Sequence, residues 1–440
     1  MRPRLRAAVL DCPALTPLDA FEAAVGDGEG CLLESAASGC SPRYSLIGFN
    51  YLHSRTFADA DSFYADVRAC IAGLGSKPLL NPGFPGGVVF ACGYDAARAS
   101  ARLKARIDGP AIAYVAVPGT WIVFDHDAHE LTLVDRTGSS SVTRDMTRRL
   151  RAFRPRRMAQ RSVGARATDI RVSLQETEFL EAAAAIKQHI VDGDVYQLQL
   201  GIRFDASYGG SAPDLYAFLR ARNPSPYMYL FRTPFGVMVG TSPESLVRLR
   251  ARQAVIRPLA GTRPRGGDEA QDRALALELL ADEKERAEHV MLVDLARNDL
   301  GAVCEYGSVQ VTELMQIERF SHVMHIVSNV AGTLRRELGA VDLFRTSFPA
   351  GTVTGTPKIR AIQLIDRFEP VPRGFYAGSV GLFRFDGDLD CCIALRGAQI
   401  LGDRIFWQAS AGIVADSLPA REYAEVLHKT AVLREALAIA

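Results

Sequence analysis

The sequence predicts an α+β fold, in which strands and helices occupy separate stretches of the chain. Up to about residue 150, short apolar segments rich in β-branched residues alternate with turns, a pattern typical of strands. Helical periodicity is strongest later, over residues 173–190, 268–298 and 420–438. The regular strand–helix alternation of a parallel sheet is missing. Strands at both ends of the chain predict one large interleaved antiparallel β-sandwich flanked by helices.

The composition indicates a globular protein with a sizeable core, because 48% of its 440 residues are hydrophobic. Lys and Arg number 51 and Asp and Glu 50, so no net field attracts nucleic acid or anionic lipid. Apolar runs end before the roughly 20 residues that a membrane-spanning helix needs, and no signal-peptide pattern is present. Eight cysteines without a CxxC pair argue against zinc and against disulfides. We expect a reduced, cytoplasmic protein that acts on small molecules.

Strands in the first part of the chain are predicted from apolar segments bounded by turn residues. These segments are 30–35, 44–49, 86–91, 112–117, 121–124 and 130–134. Helical spacing predicts helices over 18–25 and 62–74. Residues 151–171 are basic and lack apolar periodicity, which indicates a linker; RNA binding by this short run is the alternative. The predicted domains are residues 1–150 and 172–440.

The second part begins with a predicted helix, for which Ser173 and Glu176 form a capping-box pattern and Gly193 a stop. Residues 268–298 are predicted as helix with a break near 281–284. Strands are predicted over 195–204, 227–231, 236–239, 245–249, 379–385, 391–398 and 405–409, and a last helix over 420–438.

The stretch from Phe348 to Phe368, FPAGTVTGTPKIRAIQLIDRF, is predicted as a tight loop that leads into a helix. Thr356 is the predicted N-cap and Pro357 the first helical residue. Free amide donors and a row of threonine hydroxyls suit a small anionic ligand. The spacing of a nucleotide-binding P-loop is absent. An ordinary capped surface turn is the alternative.

Carboxylates occur in pairs on two predicted helices, Glu285 with Glu288 and Glu422 with Glu425. A spacing of three places both members of each pair on one helix face, where they could bind Mg²⁺ or remain solvated. His325 lies in an apolar segment and could be a core histidine. Arg396 lies in an apolar predicted strand and needs a partner, such as a ligand carboxylate held by two hydrogen bonds.

Six long motifs together resemble the chorismate-utilising enzymes, in particular the branch of anthranilate synthase component I. They are SPESLV (242–247), PLAGTRPRG (258–266), KERAEHVMLVDLARNDLG (284–301), RFSHVMHIVSNVAG (319–332), FPAGTVTGTPKIRA (348–361) and QASAGIVADS (408–417). The resemblance is dense from Ser173 to Ala438 and reaches the N-terminal part through CLLESAASGCSPRYSLIG (31–48). It implies the fold of that family. It also implies a carbon–oxygen lyase, an enzyme that aminates chorismate and eliminates pyruvate to give anthranilate.

The resemblance also implies a role for each matching residue. Glu288 and Glu425 would bind Mg²⁺, with Glu285 and Glu422 in support. The catalytic residues would be Glu244, a general acid that must hold a proton near neutral pH, with His325 and Thr352. The substrate would contact Gln197, Gly261, Thr262, Tyr376, Arg396, Ser410, Ala411, Gly412 and Lys429.

Gln197 and Ala260 distinguish branches of the family. By this resemblance, family members that add water to the ring have a lysine base where this chain has Gln197. The neutral Gln197 amide cannot deprotonate water, so ammonia is the expected nucleophile. Alanine at 260 resembles anthranilate synthases, whereas aminodeoxychorismate synthases often have lysine there. Aminodeoxychorismate synthase remains the nearest alternative, and a catalytically silent tryptophan-binding scaffold the alternative of another class.

The resemblance further implies partners and regulation. No segment resembles a glutamine amidotransferase, so we expect a separate glutaminase subunit, component II, to supply ammonia. Ser35 and the segment Pro226, Tyr227 and Met228 resemble the two halves of the family's tryptophan pocket, which predicts feedback inhibition. Ser410 departs from the family, whose motif usually reads GAGIV where this chain has SAGIV.

Overall fold

A computed structural model describes residues 6–10, 15–35, 44–74, 84–104, 111–156, 167–320 and 323–439. Residues 157–166 of the predicted linker, and residues 36–43 and 321–322 of two motifs, lie outside this range. Within it, no helix is both long enough and apolar enough to cross a membrane.

Twenty strands occur in the described part of the chain. They are β1 Arg6–Leu10, β2 Gly30–Glu34, β3 Tyr44–Phe57, β4 Gly87–Cys92, β5 Ala113–Asp125, β6 Glu130–Asp135, β7 Thr168–Val172, β8 Gln197–Ser207, β9 Tyr227–Thr233, β10 Gly236–Ser242, β11 Ser245–Arg250, β12 Gln253–Ile256, β13 Leu259–Pro264, β14 Gln310–Arg319, β15 Val323–Thr333, β16 Gly355–Thr356, β17 Ser379–Arg384, β18 Leu389–Ile393, β19 Gly397–Leu401 and β20 Arg404–Ile413.

The helices of the same residues flank these strands. They are α1 Pro17–Val25, α2 Ala60–Leu74, α3 Ser140–Ala152, α4 Glu176–Val191, α5 Ala212–Arg222, α6 Glu269–Ala281, α7 Glu283–Gly301, α8 Ala340–Ser347, α9 Lys358–Phe368, α10 Pro419–Lys429 and α11 Ala431–Ala436.

All the described strands belong to one antiparallel sheet, in which strands from the N-terminal part of the chain lie between strands from the C-terminal part. From one end the order is β7, β8, β20, β19, β10, β9, β2, β3 and β5. The other edge of β5 pairs with β6 and with β4, from which β17, β18, β11, β12 and β15 follow. N-terminal strands β2 and β4 therefore pair with C-terminal strands β9 and β17, which confirms the predicted interleaved α+β fold.

The core also joins the two parts. Phe63 of α2 and Phe90 of β4 contact Phe344 of α8, and the ring centroids of Phe90 and Phe383 of β17 are 4.6 Å apart. All four side chains are fully buried. Such aromatic packing contributes beyond the area that it buries, so each part stabilises the other.

Several predicted boundaries were wrong. The capping box of α4 is formed by Gln175, whose N–H donates to Glu178 Oε2 at 2.7 Å, whereas Ser173 Oγ accepts from Arg203 N. Segments 112–117 and 121–124 form the single strand β5, because Pro118 and Gly119 continue it as extended chain opposite β3. The C-terminal end of the predicted linker is strand β7, which pairs with β8. The proposed domain limits themselves stay a prediction.

The predicted start of α9 was one residue early. Pro357 is the N-cap and Thr356 belongs to β16, which pairs with β8. The strand predicted over 391–398 is divided into β18 and β19, and Arg396 lies between them with φ +49°. The last helix is likewise divided at Thr430. The break predicted near 281–284 is confirmed at Asp282, which separates α6 from α7.

Candidate active site

The first pair of predicted metal ligands lies near the start of α7. Asp282 caps this helix, since its Oδ1 accepts from the N–H groups of Lys284 and Glu285 at 3.1 and 3.2 Å. The cap fixes the direction in which Glu285 and Glu288 leave the helix. Glu285 faces Gly261, where an added Cβ would lie 3.2 Å from Glu285 Oε2. Gly261 has φ +68° and forms a bulge in β13, so both its conformation and this close approach favour glycine.

The second pair lies on α10, where Glu422 is buried and Glu425 is partly exposed. Burial raises the pKa of Glu288 to about 7, and the carboxylates of Glu285, Glu422 and Glu425 act in the same direction. For Glu425, burial opposes ionisation, but Lys429, whose Nζ lies 2.6 Å from Glu425 Oε1, lowers the pKa below its ordinary value. The carboxylates of the two helices therefore face one another closely enough to repel.

This donor set fits a hard divalent cation. Four carboxylates offer only oxygen ligands, as Mg²⁺ requires, and a cation would relieve their repulsion. They do not close around a point in this structure. Among the described residues, only His53, Asp66 and Cys70 have three metal-ligating atoms within 4.8 Å of one another, and these belong to β3 and α2, which carry no predicted site residue.

His325 of β15 lies beside the same bulge. Its Nδ1–H donates to the Gly261 carbonyl oxygen at 2.9 Å, and Thr262 Oγ1 lies 3.1 Å from Nδ1. Burial lowers the pKa of His325 to about 4, against the hydrogen bond to Gly261, and the charges of Arg396 and Lys429 lower it further. The imidazole is therefore neutral near pH 7, with Nε2 free to accept a proton.

Positive charge gathers on the side of the site formed by β20 and α10. Arg396 Nη1 donates to the Lys429 carbonyl oxygen at 2.7 Å, and Lys429 Nζ donates to the Ser410 carbonyl oxygen at 2.8 Å. The Arg396 side chain remains exposed, which leaves donors available for an anionic ligand. Tyr376 contacts this group through Ser410, because the two hydroxyl oxygens lie 2.8 Å apart.

Glu244 follows β10 and is buried. Burial raises its pKa to about 8, although Thr352 and the charge of Lys429 lower the pKa in part. The Glu244 carboxyl group is therefore protonated at neutral pH. Glu244 and Thr352 line a small cavity together with Pro258, Leu292, Asp299 and Ser347. The loop that carries Thr352 is packed tightly, since a Cβ on Gly351 would lie 1.8 Å from Leu295 Cδ2.

Gln197 begins β8 and is also buried. Its Oε1 has no hydrogen-bond partner among the described residues. Its Nε2 lies 2.6 Å from the position of an added Cβ on Gly412, so a side chain at position 412 would force the Gln197 amide to move. Ala411 is fully buried in β20 opposite Leu200. Since a buried acceptor without a partner is costly, the amide oxygen is suited to a ligand that donates.

Two residues that support this site were not predicted. Arg373 is buried and donates from Nε to Glu369 Oε2 at 2.9 Å, from Nη1 to the Val353 carbonyl oxygen at 2.6 Å and from Nη2 to the Gln199 carbonyl oxygen at 3.0 Å. Lys358 Nζ donates to Asp299 at 2.8 Å, which ties α9 to α7. The spacing of four between Glu369 and Arg373 was the one signal available.

The two halves of the predicted tryptophan pocket are neighbours. Strand β2 pairs with β9 so that Glu34 lies opposite Met228, which brings Ser35 close to the segment 226–228. Glu34 is buried and ion-paired with Arg220, Oε2 to Nε at 3.3 Å. Strand β9, which carries Met228, is connected through β10 and β19 to β20, the strand that carries Ser410.

Comparisons with known proteins show which proteins this chain resembles. The family model described as chorismate binding enzyme matches residues 31–435. Anthranilate synthase component 1 of Pseudomonas putida is 40% identical over 97% of this chain and 93% of the relative. Aminodeoxychorismate synthase component 1 of Bacillus subtilis is 42% identical over 81% of this chain and 78% of the relative.

Solved structures agree as well. Anthranilate synthase component I of Streptococcus pneumoniae superposes with a TM-score of 0.78 at 31% identity, covering 90% of this chain and 93% of that one. The menaquinone-specific isochorismate synthase of Escherichia coli has the same TM-score of 0.78 at 20% identity, over 99% and 95% of the two chains, a likeness of fold. Because the family model covers residues 31–435 and the Pseudomonas putida relative is 40% identical over 97% of the chain, the chain belongs to the family of chorismate binding enzymes.

Proposed function

We propose that this protein is an anthranilate synthase component I, which uses Mg²⁺ to aminate chorismate with ammonia and then eliminates pyruvate. The observations that carry the proposal are a buried carboxylic acid and a buried amide oxygen that lacks a hydrogen-bond partner. Burial raises the pKa of Glu244 to about 8, and Gln197 Oε1 has no hydrogen-bond partner in the described part of the chain. Amination of the ring needs one group that gives a proton to the leaving hydroxyl and one that accepts from N–H.

The charged groups suit a substrate with two carboxylates. Arg396 Nη1 donates to the Lys429 carbonyl oxygen, and the Arg396 guanidinium and the Lys429 ammonium would both attract a substrate carboxylate. On the other side, Glu285, Glu288, Glu422 and Glu425 would hold Mg²⁺, which would neutralise and fix the ring carboxylate. Binding both ends orients the ring between Glu244 and Gln197.

In the proposed reaction, Glu244 gives its proton to the C4 hydroxyl, which leaves as water. Ammonia, held by Gln197 Oε1, bonds to a ring carbon, and the ammonium group so formed returns one proton to the Glu244 carboxylate. Neutral His325 then accepts the proton of that ring carbon at Nε2 as the ring–oxygen bond breaks. The released enolpyruvate takes up a proton on its methylene carbon and becomes pyruvate. The His325 Nδ1–H bond to Gly261 holds the tautomer that proton transfer to Nε2 requires.

The test is an assay of the purified chain with chorismate, MgCl₂ and ammonium salt at mildly alkaline pH, followed by anthranilate fluorescence. Fluorescence that appears only with Mg²⁺ is the expected result. The second candidate function is aminodeoxychorismate synthesis, which the Bacillus subtilis relative favours. Chorismate consumed without fluorescence, but converted to p-aminobenzoate by an added lyase, would establish that alternative. If chorismate is not consumed at all, the protein would be the catalytically silent tryptophan-binding scaffold.

Ammonia is proposed to come from a glutaminase subunit in the cytoplasm. The expectation follows from the resemblance to component I of two-subunit enzymes, and free ammonium should replace the partner. Glutamine should support turnover only when a component II subunit is added.

We also propose feedback inhibition by tryptophan. The effect would pass from the segment that contains Met228, through the paired strands β9 and β10, to Arg396. Met228 lies opposite Thr241 of β10, and the Thr241 N–H donates to the Arg396 carbonyl oxygen at 3.2 Å. Asn223 Nδ2 donates to Thr241 Oγ1 at 3.0 Å. A ligand that shifts segment 223–228 would therefore move the backbone that positions Arg396.

A further inference from the structure

Ser410, the residue that departs from the family motif, connects Tyr376 to Gln199. Ser410 lies in β20 and Gln199 in β8, and both side chains are buried. Ser410 Oγ lies 2.8 Å from Gln199 Oε1 and 2.8 Å from Tyr376 Oη. Three polar groups thus form one continuous hydrogen-bonded chain that ends at a predicted substrate contact.

The direction of this chain follows from its inner end. An amide oxygen can only accept, so the Ser410 hydroxyl donates its single proton to Gln199 Oε1. Ser410 Oγ must then accept from Tyr376, whose proton points toward Ser410. The Tyr376 hydroxyl is therefore left with lone pairs, which repel a carboxylate.

Gln199 can reverse the chain by turning its amide. Its Nε2 lies 3.0 Å from the position of an added Cβ on Gly412, and Gln197 Nε2 lies 2.6 Å from the same point. After a half-turn, Gln199 would donate to Ser410, Ser410 to Tyr376, and Tyr376 to a ligand. The Gln199 oxygen would then face the amide NH₂ of Gln197.

We propose that Gln199 and Ser410 form a reversible hydrogen-bond relay that decides whether Tyr376 offers lone pairs or a proton to the substrate carboxylate. The inference rests on the proposed function, since it takes chorismate as the carboxylate ligand. Substrate binding reverses the relay and, through Gln199, fixes the Gln197 amide with its oxygen toward ammonia. Both residues are positioning residues that act through Tyr376 and Gln197.

The test is chorismate affinity, measured by calorimetry with Mg²⁺ and without ammonium, in variants that change the relay in opposite ways. S410A removes Ser410 Oγ, which competes with the substrate carboxylate for the Tyr376 proton. The Kd for chorismate should therefore fall about fivefold, which corresponds to the contribution of one neutral hydrogen bond. Q199E keeps only acceptors when ionised and holds the relay in its unliganded direction, so Kd should rise roughly tenfold. The double variant should behave as S410A.

Two further variants separate the relay from simple packing. In a Y376F background, S410A should leave Kd unchanged, because no phenol proton remains to be released. S379A removes a buried serine hydroxyl that bonds to the Cys392 carbonyl oxygen and should not change Kd. A loss of affinity in S410A, or a full Q199E effect in the absence of Ser410, would overturn the relay.

A measurement on the free protein keeps this inference separate from the proposed function. With ¹³Cζ-labelled tyrosine, the Tyr376 signal is assigned by its loss in Y376F. It should move in S410A and stay in place in S379A, whether or not chorismate binds. Failure of the wild-type protein to bind chorismate would refute the proposed function. Failure of the Tyr376 signal to respond to S410A would refute the relay.

Discussion

At the scale of single residues, burial places an acid and a base in the uncharged forms that the chemistry needs. It raises the pKa of Glu244 to about 8 and lowers the pKa of His325 to about 4. A carboxyl group in water would be ionised at pH 7 and could not donate. An imidazole bonded through Nδ1–H to a carbonyl can accept at Nε2 without first losing a proton.

Glu244 determines the first prediction. Its protonated fraction falls as pH rises through about 8, so kcat should decline across that range, whereas His325 gains a proton only near pH 4. E244Q cannot give a proton and should lower kcat roughly 10² to 10⁴-fold with little change in KM. The measurement is the pH profile of both enzymes with ammonium held above saturation. An alkaline decline of the same shape in E244Q would show that another group titrates.

At the scale of elements, two helices from distant parts of the sequence present carboxylates to one another. The Asp282 cap orients α7, and β20 positions α10 through the bond from Lys429 to Ser410. Burial and the other three carboxylates raise the pKa of Glu288, and the packing of both helices holds the four groups near one another. Arg263, Lys284 and Lys429 pair with members of the cluster and offset part of the repulsion.

The carboxylates determine the second prediction. E288Q and E425Q each remove one negative ligand, so the Mg²⁺ concentration that gives half-maximal rate should rise roughly 10- to 100-fold. Glu283 is exposed in the first turn of α7, and E283Q is the matched control that should leave the requirement unchanged. An Mg²⁺ titration of the rate checks this. An unaltered requirement in both E288Q and E425Q would exclude the proposed ligand set.

The strands that connect the tryptophan segments to Arg396 determine the third prediction. T241V keeps the size of the side chain but removes the hydroxyl that accepts from Asn223 and bonds to the Arg396 carbonyl oxygen at 3.3 Å. The tryptophan concentration for half inhibition should rise roughly 5- to 10-fold with chorismate KM little changed. T233V is the control, because Thr233 lies on β9 and its hydroxyl bonds to the Gly236 carbonyl oxygen and the Phe235 N–H. Equal effects of the two variants would refute this route.

At the scale of the whole molecule, the sheet interleaves the two parts of the chain. Strand β2 pairs along one edge of β9, and β4 pairs along one edge of β17. Removing either part would expose unpaired strand edges and the aromatic core around Phe90. The site, although built mainly from residues after 190, therefore depends on the first 150.

The two tryptophans provide the fourth prediction, because Trp121 of β5 and Trp407 of β20 are buried in different parts. In W121F and W407F, the remaining tryptophan reports the unfolding of its own surroundings. Urea midpoints from the two variants should coincide after correction for the small stability change of each substitution, which circular dichroism measures. Two separate transitions would indicate domains that fold independently.

The sequence motifs predicted the residue types of the site. Motif order assigned Glu244, His325, Thr352, Arg396 and the four helix glutamates to one site, and the roles of these residues stay a prediction. Periodicity found most strands, but it extended the one at 391–398 through Arg396, because a left-handed residue between two strands leaves no trace in an apolar pattern. It also missed Arg373, whose partners are in β8, in the Val353 turn and at Glu369, the C-cap of α9.

By itself, the sequence determined composition, the class of fold and the family, since these follow from local patterns and from long motifs in order. The tertiary structure alone decided protonation states, the order of the sheet and the link from Ser410 to Gln199 and Tyr376. Those properties arise where distant segments of the chain meet. Ser410 and Gln199 are 211 positions apart, and the paired strands β4 and β17 are farther apart still. Burial and hydrogen-bond direction are set by such neighbours, and a one-dimensional pattern does not contain them.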